Sequence, residues 1–155
     1  MKANDKFDET VIEYVTVMLD GQLFGLPISR VQDVFAPDRL APVPLAAPEI
    51  AGLLNLRGRI VTAIDMRRRL GLPTLDDGRA RMAVGIECKG ESYGLLIDAI
   101  GEVLKLAVAG REDNPINLDA RLARVSAGVH RLDGKLLVVL DVDRVLDLGV
   151  SALAA

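Results

Sequence analysis

The sequence predicts a mainly all-β chain folded as two small, pseudo-symmetric barrels of five short strands each, with short helices between them. Three observations carry this. The chain repeats itself, its apolar residues fall in short aliphatic runs of strand type, and glycine-centred turns separate those runs. Gly52–Leu72 recurs as Gly128–Leu148, with Gly52, Leu56, Gly58, Asp65, Arg68, Leu70 and Leu72 answered by Gly128, Leu132, Gly134, Asp141, Arg144, Leu146 and Leu148. An earlier segment, Val17–Phe35, matches Ile86–Leu104 through pairs such as Gly21/Gly90, Phe24/Tyr93, Gly25/Gly94 and Val34/Val103. Half the residues are hydrophobic, yet only Phe7, Tyr14, Phe24, Phe35 and Tyr93 are aromatic, so Val, Ile and Leu build the core.

The elements follow in order. Residues 1–10 are polar and expected to form a loose arm. Val11–Leu19 reads as a strand, Asp20-Gly21 as a hairpin turn and Leu23–Ile28 as the returning strand. Arg30–Phe35 reads as a third strand after a kink at Pro27. Pro37, Pro42, Pro44 and Pro48 then forbid a helix or a central strand, so Ala36–Pro48 is an ordered loop, with a helical turn at Pro48–Ala51. Leu53–Leu56 and Arg59–Ile64 are strands joined at Arg57-Gly58. Asp65 caps a short helix, Met66–Leu70, that Gly71 and Pro73 stop.

Leu75–Arg81 is a polar link, after which the programme repeats. Strands are expected at Met82–Cys88, Ser92–Ile97, Gly101–Leu106, Val129–Leu132 and Lys135–Leu140. Ala109–Ala127 forms the longer second loop, and Asp141 caps the last helix. The whole, 1–155, is read as one domain of two modules, with barrel 1 at about 11–74 and barrel 2 at about 81–148. Closure of each barrel removes exposed sheet edges and leaves a groove at the junction.

Composition excludes several functions. A net charge of -3 and a pI near 5.2 argue against general nucleic-acid or anionic-membrane binding. A single cysteine, Cys88, forms no intramolecular disulfide and is read as a small core residue in a reducing compartment. No apolar run approaches the ~18 residues of a membrane span, and the start lacks the pattern of a signal peptide. A soluble, cytoplasmic protein is expected.

Catalytic patterns are nearly empty. His130, the single histidine, sits where the first module has Leu54, which favours a structural role. No Cys/His spacing suits a metal, no phosphate-binding loop occurs, and no serine sits in a nucleophile elbow. Asp65 and Asp141 are explained as helix caps. No enzyme activity, metal or cofactor is expected. Arg57 stands out because its counterpart is Asp133: a turn whose charge reverses between modules suits an arginine fork for a partner carboxylate or carbonyl, against the plainer reading of a solvated turn residue. Arg67-Arg68-Arg69 reads chiefly as a solvated face with one arginine turned back onto the barrel. Val31, Val34, Ile100 and Val103 read as core, or as the lining of a groove that takes an apolar helix.

The stretch Gly-Leu-Leu-Asn-Leu-Arg-Gly-Arg-Ile-Val-Thr-Ala-Ile-Asp-Met-Arg, from Gly52, strongly resembles the hallmark of the CheW family of chemotaxis coupling proteins. Phe24–Val34 and Tyr93–Val103 are similar to that family too, and the resemblance spans roughly Val11–Leu148. Thr62 stands where many members have proline, and Met66 where they have leucine. The resemblance implies two SH3-like five-stranded barrels and a non-catalytic scaffold at membrane chemoreceptor arrays. This adaptor ties the cytoplasmic tip of transmembrane chemoreceptors, a helical hairpin, to the regulatory domain of the histidine kinase CheA. Carried over by motif, the receptor side is Val31, Gly52, Arg57 and Val103. Val31 and Val103 give apolar contact, Gly52 close approach, and Arg57 a polar grip. Kinase-binding residues are not assigned beyond loops and strand ends of the first barrel. The same fold occurs inside the kinase and fused to a receiver domain, and the chain length favours a stand-alone adaptor. The competing reading is a small barrel binding RNA or single-stranded DNA through Arg57, Arg59 and Arg67–Arg69, opposed by the acidic pI and few aromatics.

Overall fold

A computed structural model of the chain describes residues 10–37, 39–74 and 82–147. The arm at 1–9, the link at 75–81 and the segment from 148 onward lie outside the described residues. Among the described residues, ten strands form two five-stranded sheets: β1 (Val11–Leu19), β2 (Gln22–Pro27), β3 (Val31–Phe35), β4 (Ile50–Leu56), β5 (Arg59–Asp65), β6 (Met82–Cys88), β7 (Glu91–Ile97), β8 (Ala99–Ala107), β9 (Ser126–Leu132) and β10 (Lys135–Leu140). Three one-turn helices accompany them: α1 (Met66–Arg69), α2 (Ala120–Ala123) and α3 (Val142–Val145).

The first sheet runs β8-β1-β2-β10-β9 and the second β3-β6-β7-β5-β4. This corrects the expectation that 11–74 and 81–148 are separate barrels. Each barrel takes two strands from one repeat and three from the other. Translated into repeat positions the two orders are identical, so the pseudo-symmetry stands while the strands are exchanged. The exchange begins at Pro27, where a 3-10 turn, Ile28–Arg30, leads the chain out of the first sheet. β3 therefore does not fold back on β2 but pairs antiparallel with β6. The vacated edge of β2 pairs parallel with β10, and β7 pairs parallel with β5 in the same way.

Hairpin chemistry follows the predicted turns. Asp20-Gly21, Arg57-Gly58 and Lys89-Gly90 all have positive φ at both residues, the twist that matches flanking strands. Asp65 and Asp141 cap α1 and α3, their carboxylates accepting from the Arg68 and Arg144 N–H groups at 3.2 Å. α2 was not anticipated; Asp119 caps it, and Leu122 anchors it in the core. Pro48–Ala51 forms no helix: the Ile50 N–H closes a turn on the Ala47 carbonyl, and Ile50 and Ala51 open β4.

Strand alternation buries both faces. Val17, Leu19, Phe24 and Leu26 of the first sheet meet Ile64, Val84, Ile86, Leu95 and Ile97 of the second in one core, joined by Met66, Leu70, Val142 and Val145 from the helices. The second barrel's own interior holds Leu54, Val61, Ala63, Ala83 and Leu96. At the matching positions of the first stand Tyr14, His130, Leu137 and Val139, all buried. The two barrels share this core, while each keeps a separate interior of its own.

Candidate partner-binding surface

Arg57 is built for display. It takes the first position of the β4–β5 turn with φ 53°, a left-handed conformation that costs a non-glycine residue about 1 kcal/mol. The Asn55 carboxamide oxygen braces this turn by accepting from the Gly58 N–H at 2.8 Å. The side chain is 82% exposed, and its described ion pair is a long one, 3.8 Å to Asp33. Surface pairs of that kind contribute little stability, so the group is available at small cost.

Asp33 lies on β3, just after the register jumps from Val31↔Ile86 to Asp33↔Gly85. Its Oδ1 is buried with no hydrogen-bond partner among the described residues. It packs directly over Gly85, where any Cβ would collide with it. Asp33 thus links the β4–β5 turn to β3, the strand that also carries Val31. Sequence reasoning missed this acid, although Glu102 at the equivalent place in the second repeat was a readable signal.

The apolar residues divide by register. Val31 and Ile100 are half-buried against the shared core. Val34 and Val103 point outward, Val103 being 47% exposed. Val31, Gly52 and Arg57 all belong to the second sheet, whereas Val103 stands on β8, the edge strand of the first.

Gly52 is buried under the proline-rich loop. Its φ is 152°, and a Cβ there would meet the Ala41 carbonyl oxygen at 2.7 Å. The close approach it permits is that of the chain's own proline-rich loop, which bridges to Leu53 through two 2.8 Å backbone hydrogen bonds. Gly128 does the same beneath Glu112.

The three consecutive arginines are all engaged. Arg67, its side chain only 12% exposed, forks onto Asp98 at 2.9 and 2.5 Å and lies 3.7 Å from Asp20. Those carboxylates, Asp98 first, hold its pKa above the ordinary arginine value. Asp98 connects β7 to β8 and also accepts from the Asp20 N–H, so this cluster ties α1 to the β1–β2 hairpin of the other sheet. Arg68 pairs with Asp65 at 3.5 Å. Arg69 donates to the carbonyls of Arg144, Val145 and Asp147 at the end of α3, complementing that helix terminus. The pseudo-equivalent junction has reversed charge: Asp143 on α3 accepts from Arg30 at 3.1 Å and from the Cys88 thiol at 3.5 Å. The Arg30 guanidinium, then the thiol, hold the Asp143 carboxyl below its ordinary range.

A polar cleft of about 350 Å³ flanks Val31, lined by Ser29, Arg30, Gln32, Glu87, Lys89 and Gly90. Gln32 is tied to Glu87 at 2.8 Å and Arg30 to Asp143, and the cleft holds no nucleophile–base pair. Among the described residues no group of three or more His, Cys, Asp or Glu could hold a metal ion, and no helix is long and apolar enough to cross a membrane. Two exposed apolar tips also escaped sequence reasoning. Leu45 and Ile116 each follow a proline in the equivalent loops of the two repeats, and both are exposed. The Pro44-Leu45 and Pro115-Ile116 pairs were the signal that could have found them.

The chain is 24% identical over 135 residues to the chemotaxis protein CheW of Thermotoga maritima, covering 87% of each. It is 24% identical over 147 residues to that of Bacillus subtilis, covering 95% of this chain and 92% of the relative. The crystal structure of the scaffolding protein TtCheW from Thermoanaerobacter tengcongensis superposes with a TM-score of 0.74 at 26% identity, covering 84% of both chains. Residues 13–149 match the CheW-like domain, and the chain belongs to that family.

Proposed function

We propose that this protein is a non-catalytic adaptor that couples the cytoplasmic tip of transmembrane chemoreceptors to the regulatory domain of the chemotaxis histidine kinase CheA. The observation that carries the reading is the mounting of Arg57. A guanidinium held out on a left-handed turn, its described ion pair a long one to Asp33 on the strand that also carries Val31, suits recognition rather than catalysis. The relatives are named chemotaxis proteins and the solved one a scaffolding protein, which supports a structural role in a signalling assembly.

On this reading Val31 and Arg57 contact the receptor hairpin from the second barrel and Val103 contacts it from the first. Gly52 acts indirectly, by seating the loop beside the β4–β5 turn. The exposed Leu45 and Ile116 tips, one from each repeat, are apolar surface left for the other partner. Work at the membrane arrays then requires no insertion of this chain into lipid. The RNA or single-stranded DNA reading is weakened by Arg67 and Arg69, whose guanidinium groups are spent inside the molecule.

Binding titrations with a soluble receptor cytoplasmic fragment, and separately with the kinase regulatory domain, test the proposal. Saturable binding to both is expected. Strong retention on heparin at moderate salt, with neither protein bound, would replace it with the nucleic-acid reading.

A further inference from the structure

The first barrel hides a titratable group that its sister lacks. His130 and Leu54 occupy the same place, each two residues beyond the positive-φ glycine of its edge strand, and they are 4% and 5% exposed. His130 faces Leu137 across the β9–β10 ladder. Its ring meets Tyr14 edge-on, with centroids 5.8 Å apart at 60°. Its Nε2 is buried with no hydrogen-bond partner among the described residues. Its Nδ1 side lies under Gly110, where an added Cβ would sit 3.7 Å away.

A neutral imidazole tolerates this pocket better than an imidazolium, which must bury a charge and leave a donor unmatched. The charged groups nearby do not compensate. Arg111, next to Gly110, opposes a second positive charge. Glu112 favours one, but its carboxylate is engaged by Arg131 at 3.0 Å. Tyr14 offers a ring edge. Burial first, and then Arg111, hold the imidazole below its ordinary 6.5, with Glu112 pulling weakly the other way.

We propose that His130 makes the first barrel acid-sensitive: proton uptake by its buried ring loosens the packing of β1, β9 and β10, while the second barrel, with Leu54 in that place, is unaffected. The strand carried by the loosened β1 is β8. A group whose folded pKa is depressed binds fewer protons folded than unfolded. Its penalty is therefore absent at pH 7.5 and grows as pH falls below about 6.5.

Because the chain has one histidine, its ring gives a single imidazole resonance. The experiment follows that resonance and backbone amide exchange from pH 7.5 to 5, with urea midpoints for wild type, His130→Leu and His130→Gln. The expected result is a titration midpoint below 6.5, exchange rising in β1, β9 and β10 before β6 and β7, and an acid-induced fall in the wild-type midpoint that both variants lack. If His130→Leu folds poorly, His130→Gln keeps the comparison, since it is polar but does not titrate. Titration at the ordinary value, equal acid loss in all three proteins, or a uniform rise in exchange across both barrels would overturn the proposal.

Discussion

Replacing Gly52 with alanine separates two roles for this residue, because its magnitude can be worked from the structure. The new Cβ would sit 2.7 Å from the Ala41 oxygen and 3.2 Å from the Ala41 carbonyl carbon. Ordinary contact would require the loop to retreat by several tenths of an ångström. The loop is held there by the two hydrogen bonds between Ala41 and Leu53, each 2.8 Å long. Losing both costs about 2 kcal/mol, and holding alanine at φ 152° adds about 1 kcal/mol. The sum, about 3 kcal/mol, is a large share of a typical stability of roughly 5–15 kcal/mol. It should lower the melting temperature by about 6–12 °C. Gly58→Ala is the control: its φ is 82°, but a Cβ there meets nothing within 4 Å, so only the strain of about 1 kcal/mol remains. Thermal and urea unfolding followed by circular dichroism measure both. A Gly52→Ala protein no less stable than Gly58→Ala would refute the reasoning. If such a protein also failed to bind its partners, Gly52 would be a contact after all.

Other substitutions probe the surface and the junctions. Arg57→Ala should leave the melting temperature nearly unchanged, since its ion pair is exposed, yet weaken receptor binding by about 2 kcal/mol in a calorimetric titration. Val31→Asp should reduce receptor affinity more than kinase affinity; equal loss of both would mean a misfolded protein or a misplaced groove. Arg67→Met should cost about 3 kcal/mol in urea unfolding, because Asp98 and Asp20 are left facing each other without their shared cation. Arg30→Met, at the reversed and more exposed junction, should cost much less, and equal losses would show that the two junctions carry the same load.

Much of the local structure was legible because it is encoded locally. Apolar alternation marks the strands, the residue–glycine pairs mark the hairpins, and Asp65 and Asp141 announce the helices they cap. The exchange of strands was not legible. A period of two says which face a residue buries but not which strand lies beside it. Self-similar repeats offer the same pattern whether β3 returns to its own repeat or crosses to the other. Arg67 shows the same limit at the level of one side chain: its partner Asp98 is 31 residues away, brought near only by the fold. For the site, a turn residue with reversed charge was enough to single out Arg57. At Gly52 the glycine was legible, but not the chain's own loop that lies over it, since Ala41 comes near only through the fold.

The most direct test of the adaptor account is a three-component chromatography experiment. A chemoreceptor cytoplasmic fragment and the CheA regulatory domain are run with and without this protein, as wild type and as Arg57→Ala. The account predicts that the two partners co-elute only when the wild-type protein is present, and that Arg57→Ala retains the kinase domain but releases the receptor fragment. Competition of the two partners for one surface, or binding of neither, would contradict it.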